Sequence, residues 1–168
     1  MAVLVIVSGM VLPGMWRWLD SIRIGVLVRA FQSDLQLTRM EAIRRGERVV
    51  LCAAESSDAC SSRPGWHQGW LMFVDLNNNT EIDPDEPVLR YHGPVSPGWR
   101  VQGNRPVARY VSYGRLGMTK MVSGAFQAGS VYFCRQGGGA SAPLPRRVVI
   151  NSAGRPRSEI LEGHEACA

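Results

Sequence analysis

The change of hydrophobic period at Gly46 constrains this chain more than any other feature. From Trp16 to Arg45 there is no Pro and a single Gly, Gly25. Within that run Leu27, Phe31, Leu35, Thr38 and Ala42 recur at spacings of three and four, which is one face of a helix. Arg44 and Arg45 place cations in the last turn, and Gly46 offers a left-handed cap. After Gly46 the period falls to two. Short β-branched or aromatic runs follow at 48–52, 70–74, 87–91, 108–113, 130–134 and 147–150. Turn-formers separate them: Arg63-Pro64-Gly65, Asn77-Asn78-Asn79, Ser96-Pro97-Gly98 and the stretch from Gly137 to Pro145. One long helix followed by six or more mostly antiparallel strands is an α+β order. The 168 residues suit one domain, and 45% apolar content suffices for a packed core, so a disordered chain is excluded.

The helix begins with Met1 to Leu12, apolar apart from Ser8 and Gly9, then Pro13; the first charge is Arg17. A run this short does not reach the roughly 20 residues that an α-helix needs to span a bilayer. It has no basic region before it and no small-residue cleavage site after it, so it is not a complete signal peptide. Three readings stand: a buried core helix, a re-entrant segment, or a membrane helix lacking its first turns. Four cysteines, Cys52, Cys60, Cys134 and Cys167, fit no metal or redox spacing. Their even number points to two disulfides in an oxidising compartment. Local pairing of Cys52 with Cys60 would leave Cys134 with Cys167, one of three possible connectivities.

Charge is distributed unevenly. The formal net charge is +5, carried by 18 Arg and one Lys against 14 acids. No acid occurs in the 72 residues from Pro87 through Ser158, which hold 11 basic residues, and Glu159 and Glu162 return just beyond. A surface of one sign attracts polyanions, so nucleic acid or another anionic surface is an expected partner.

The residues then become specific. Ser33 to Gly46 (SDLQLTRMEAIRRG), after an apolar helix with Pro13, resembles the N-terminal region of type IV pilin-like proteins. Trp66 to Asp75 forms a W-x-x-G-W-x-x-F-x-D string, followed in order by Glu86-Pro87-Val88-Leu89-Arg90 and Gly103-Asn104-Arg105-Pro106. Together these resemble the FimT/GspH family of minor pilins and pseudopilins over nearly the whole chain. The resemblance implies a type IV pilin-like fold, a long N-terminal helix packed on an antiparallel β-sheet or β-sandwich head. It further implies an apolar anchor over residues 1–28 in the bacterial inner membrane and a periplasmic head over residues 29–168 ending in a tail from 151. Partners would be other pilins and minor pilins in a pilus. The family's prepilin-peptidase site, a Gly followed by Phe-Thr-Leu-Ile-Glu, is not in the sequence, and aligning Pro13 with the usual kinking Pro implies a leader and first turns before Met1.

Gly154-Arg155-Pro156-Arg157 resembles the G-R-x-R motif of the pilus branch, which is implicated in DNA uptake during natural transformation. In an extended segment Arg155 and Arg157 point the same way, about 6.5–7 Å apart. Pro156 fixes φ and favours an extended neighbour, and Gly154 allows the chain to bend into the segment. Two guanidiniums on one face can each fork onto phosphate oxygens without reading sequence. Arg146 and Arg147 are expected to extend this DNA-binding patch. The secretion branch of the family, a structural role without DNA, is the alternative.

A second candidate site is the acidic loop from Asp75 to Glu86. Asp75, Asn77, Asn79, Asp83 and Glu86 fall at positions 1, 3, 5, 9 and 12 of an EF-hand-like calcium loop. Position 6 is Thr80, where the sharp turn favours Gly, and a polar hairpin loop explains the same residues. No catalytic pattern is present: His67, His92 and His164 have no clustered nucleophile or carboxylate partner, so neither enzymatic activity nor a cofactor is expected. Trp66 and Trp70 are expected in the core rather than on a base-stacking platform.

Overall fold

A computed structural model describes residues 2–137, 142–163 and 167, with side chains from residue 18 onward. Helix α1 runs from Ala2 to Arg45 and stops at Gly46, whose φ of 69° and N–H bond to the Ala42 carbonyl (3.0 Å) make the expected left-handed cap. The strands are β1 (Val49–Ala53), β2 (Trp70–Val74), β3 (Val88–His92), β4 (Trp99–Gly103), β5 (Tyr110–Tyr113), β6 (Gly129–Arg135), β7 (Arg146–Ile150) and β8 (Pro156–Ile160). They form two four-stranded sheets, ordered β3-β2-β1-β5 and β4-β6-β7-β8, with every pairing antiparallel. Helix α1 packs across both sheets. This is the α+β architecture expected.

The helix face extends further toward the N-terminus than its sequence pattern indicates. Ile24, Val28, Phe31, Leu35, Thr38 and Ala42 are buried, whereas Leu27 is only partly so. The head's core therefore reaches back to Ile24, and Asp20 joins it through an ion pair to Arg135 (3.3 Å). Phe31 is the hub: its ring makes edge-to-face contacts with Trp66, Trp70 and Phe133, at centroid separations of 5.1, 5.3 and 5.6 Å. Trp70 lies in the first sheet and Phe133 in the second, so one helix residue ties the two sheets together. Such pairs contribute roughly 0.5–1.5 kcal/mol each beyond area burial.

Every residue of β1 and β2 is buried on both faces. One face meets α1; on the other, Val50, Cys52, Leu71 and Phe73 form a second cluster with Cys60, Ile82, Tyr91 and Tyr110 packed over it. The Cys52–Cys60 disulfide (Cα–Cα 5.7 Å) fastens one covering loop to that cluster. The second bridge, Cys134–Cys167 (Cα–Cα 5.8 Å), completes the pairing suggested by local sequence separation.

Two strands depart from the sequence reading. Segment 99–103 pairs with β6, and segment 156–160, expected as part of a tail, is the edge strand β8 paired with β7. His92 also differs from the expected loop histidine: it ends β3 and stacks on Trp70, with centroids 4.0 Å apart and planes 11° from parallel. His164 lies outside the described residues.

Candidate nucleic-acid interface

The β7–β8 hairpin presents the arginine motif. Strand alternation decides which side each residue faces. Val148 and Ile150 are buried toward α1, so Arg147 and Val149 face outward. Register pairs Arg147 with Glu159 and Val149 with Arg157, which places Arg157 and Glu159 on the same outer face. Arg146 goes to the other side. A Cβ built on Gly25 of α1 would lie 3.3 Å from Nη1 of Arg146 and 3.4 Å from Nη1 of Arg29, so the Arg146 guanidinium rests against the helix. The expectation that Arg146 and Arg147 together extend one patch is corrected: they are strand neighbours and face opposite ways.

The turn between the strands is rigidly built. Gly154 donates its N–H to the Asn151 carbonyl (2.9 Å), and the Arg155 N–H is accepted by Asn151 Oδ1 (2.9 Å). The Thr119 N–H donates to the Ser152 carbonyl (3.3 Å), docking the turn on the loop after β5. Gly154 is buried with φ 76°, and a Cβ there would fall 2.2 Å from the Gly117 carbonyl oxygen and 2.9 Å from the Tyr113 ring. Glycine is thus required by packing, independently of any ligand. Arg155 emerges from this turn exposed, with no acidic partner among the described residues.

Arg157 and Arg147 are not free. Glu159 accepts from Nε (3.1 Å) and Nη2 (2.5 Å) of Arg147 through Oε2, and its Oε1 forms an ion pair with Nη2 of Arg157 (3.0 Å). The Arg147 bonds hold the Glu159 carboxyl below the usual carboxylate range, and Glu159, with the Tyr132 hydroxyl, raises the Arg147 guanidinium further. Elsewhere in the acid-free stretch, Arg90 pairs with Asp34 (3.1 Å) and Arg135 with Asp20, both acids of α1. Folding therefore brings carboxylates to four of the 11 basic residues that the linear sequence leaves without acidic neighbours.

The outer face continues across the sheet. A cross-strand row runs Gln102, Tyr132, Arg147, Glu159, with Arg100 opposite Cys134 in the adjoining row. Cys134 carries the disulfide to Cys167, so the C-terminus is fastened on this face beside Arg100, Gln102 and Asn104.

The acidic loop is internally satisfied. Asp75 is almost wholly buried, pairs with Arg48 (3.4 Å), and accepts the N–H groups of Asn79 (3.1 Å) and Thr80 (3.2 Å). Burial lowers the Arg48 guanidinium, and Asp75 offsets part of that. Glu86 accepts from the N–H groups of Leu76 (2.7 Å) and Asp83 (3.2 Å), while Asp83 accepts from the side-chain amides of Asn77 (2.7 Å) and Asn79 (2.9 Å). Thr80, at the glycine position, is held left-handed at φ 63°. Among the described residues no cluster of three or more His, Cys, Asp or Glu side chains is arranged to hold a metal ion. Asp75, Asn77, Asn79, Asp83 and Glu86 are spent on hairpin hydrogen bonds rather than converging on a cation.

One functional-looking carboxylate escapes the sequence reading. Asp34, 2% exposed, accepts from Trp70 Nε1 (2.8 Å) through Oδ2 and pairs with Arg90 through Oδ1. It locks α1 to β2 and β3, and its place beside Leu35 on the buried stripe was the available signal.

The fold and sequence have recognisable relatives. The chain is similar to the crystal structure of the type IV minor pilin FimU of Pseudomonas aeruginosa (strain PAO1), at 17% identity over 81% of this chain and 87% of that one, with a TM-score of 0.60. It is also similar to the minor pseudopilin EpsH from the Type 2 Secretion System of Vibrio cholerae, at 10% identity over 84% of this chain and 99% of that one, with a TM-score of 0.54. At these identities the likeness establishes a pilin-like fold. No curated protein matches the sequence. The model of the family described as type II transport protein GspH matches residues 27–154, about three quarters of the chain, and ends at the glycine before Arg155. The chain belongs to the GspH family.

Proposed function

We propose that this protein is a minor type IV pilin that binds DNA non-specifically through its β7–β8 hairpin during uptake for natural transformation, while contributing to pilus assembly. The observation that carries the reading is Arg155: exposed, without an acidic partner among the described residues, and held at the tip of a docked turn beside Arg157 on an exposed edge strand. Backbone phosphates are matched by guanidiniums at this spacing, and such contacts give affinity without sequence preference. Arg155 leads; Arg157 and Arg147 contribute once their shared carboxylate is displaced. In this reading the head is periplasmic, where both disulfides persist, and the apolar start of α1 belongs to an inner-membrane anchor. Among the described residues no helix is long and apolar enough to cross a membrane.

The second reading is a structural minor pseudopilin of type II secretion. It is favoured by the Glu159 bridge, which neutralises two of the motif's neighbouring cations, and by the family match stopping before Arg155. A mobility-shift titration of the full chain against an arbitrary duplex separates the two. Arg155→Gln with Arg157→Gln should remove most binding, and each lost phosphate contact should flatten the salt slope by about 0.9. Binding retained with an unchanged slope would reject the hairpin as the DNA site. No binding by the unmutated chain would favour the secretion reading.

A further inference from the structure

Glu159 is the single acid on the outer face of the second sheet among the described residues, where Arg100, Arg147 and Arg157 also project. Its two oxygens are divided between two guanidiniums: Oε2 accepts from Nε and Nη2 of Arg147, and Oε1 lies in ion-pair contact with Nη2 of Arg157. That is the arrangement in which a phosphate's oxygens would be held, since the guanidinium fork fits both anions. We propose that Glu159 is a built-in phosphate mimic that occupies the Arg147–Arg157 fork and sets the DNA affinity of this face, so that a nucleic-acid phosphate binds by displacing it. The proposal rests on the DNA reading given above.

Exposure sets this ion pair apart from those that hold Arg48 and Arg90. The side chains of Arg157, Arg147 and Glu159 are 71%, 33% and 28% exposed, whereas the acids that hold Arg48 and Arg90, Asp75 and Asp34, are 0% and 2% exposed. Buried carboxylates of the second kind are locked in place by desolvation and by their other bonds. An exposed pair contributes little to folding and opens at small cost. Displacement is also local. Glu159 lies on an edge strand, so its side chain can swing into solvent without breaking the β7 ladder. The arginines it releases already face the same way as each other, and Arg155 precedes them at the turn.

The test is fluorescence anisotropy of a labelled, arbitrary 30-base-pair duplex titrated with the full chain in mild detergent across a salt series. Glu159→Gln should tighten binding about fivefold, the effect of removing one like-signed charge some 5 Å from a phosphate. The salt slope should stay within about 0.9 of the wild type's, because displacement gives both proteins the same phosphate contacts. Glu162→Gln, the same charge change at a side chain that forms no ion pair among the described residues, should change affinity less than about twofold. Glu159→Ala should behave as Glu159→Gln does, and unchanged thermal transitions would show that all variants are folded. If the wild-type chain binds DNA but Glu159→Gln does not tighten it, the mimic is refuted and the DNA reading stands. Equal effects of Glu159→Gln and Glu162→Gln refute it as well, since they report net charge rather than a released fork; a slope steeper by about 0.9–1.8 in Glu159→Gln refutes displacement, since it means that Glu159 keeps the arginines from phosphate in the wild type. If neither the wild type nor Glu159→Gln binds, the DNA reading and the mimic fall together. Binding by Glu159→Gln alone supports the mimic in its strongest form.

Discussion

Replacing Gly154 with Ala is the most informative single change in the arginine motif, because it alters no charge. The new Cβ would sit 2.2 Å from the Gly117 carbonyl oxygen, more than an ångström inside ordinary contact, and 2.9 Å from the Tyr113 ring. Gly117 cannot easily yield. Its own φ is 72°, and its carbonyl also accepts Arg39 Nε at 2.9 Å. The turn must therefore move, which breaks two or three of the bonds at Asn151 and Thr119, at about 1 kcal/mol each. Left-handed strain for Ala adds about 1–2 kcal/mol. The expected loss is about 3–5 kcal/mol in urea denaturation of the full chain. Gly124→Ala supplies the comparison, since φ is 84° there but nothing lies within 4 Å; it should cost only the strain, about 1–2 kcal/mol. DNA binding by Gly154→Ala should fall together with stability, because Arg155 loses its platform. A loss of stability no larger than that of Gly124→Ala would refute the close packing of the turn on Gly117. The glycine would then have to be explained by ligand approach.

Two further outcomes follow from buried polar groups. Tyr113 buries a hydroxyl without a hydrogen-bond partner, and burial raises its phenol well above the ordinary 10.0; Tyr113→Phe should therefore stabilise the protein by about 1 kcal/mol. Because the folded value is the raised one, the stabilisation from keeping this phenol neutral is complete below pH 10 and is lost as pH rises toward the folded value, so the alkaline limb of a stability profile should flatten in Tyr113→Phe. Asp34→Ala strands the buried Trp70 N–H and releases the half-exposed Arg90, and should cost about 1–3 kcal/mol by thermal or urea unfolding; Asp34→Asn keeps an acceptor for Trp70 and should cost less.

The helix and the inner strands were legible because burial wrote them into the residue pattern. Phe31, Leu35, Thr38 and Ala42 fall on one helical stripe, and β1 and β2 are continuous apolar runs because both of their faces are covered. Strands β4 and β8 were harder for a physical reason. Each has an exposed face or edge, so Arg100, Gln102, Arg157 and Glu159 replace the β-branched residues that mark a covered strand. Pro156 opens β8 at an edge position, the one place in a sheet where Pro is tolerated. Asp34 was legible only in part: its place beside Leu35 signals burial, but its partners, Trp70 and Arg90, lie far along the chain, and nothing local announces them.

The site was half legible, and the division follows what a one-dimensional charge pattern can encode. Absence of acids over 72 residues describes the chain, whereas a phosphate meets a surface. Asp20 and Asp34 reach Arg135 and Arg90 from α1, and Glu159 turns back onto Arg147 and Arg157 from just past the end of the stretch. Among the described residues, Arg155 at the motif and Arg100 across the sheet have no acidic partner. One part of this was available in advance. Arg146 and Arg147 are adjacent in a strand, and a period of two sends adjacent residues to opposite faces, so they could never have shared a patch. The position of Glu159 needed the register, which the hairpin fixes only once the turn at 151–155 is known. On the DNA reading proposed above, the affinity of this face is decided by whether one carboxylate stays in its fork, a property of pairing across β7 and β8 rather than of net charge.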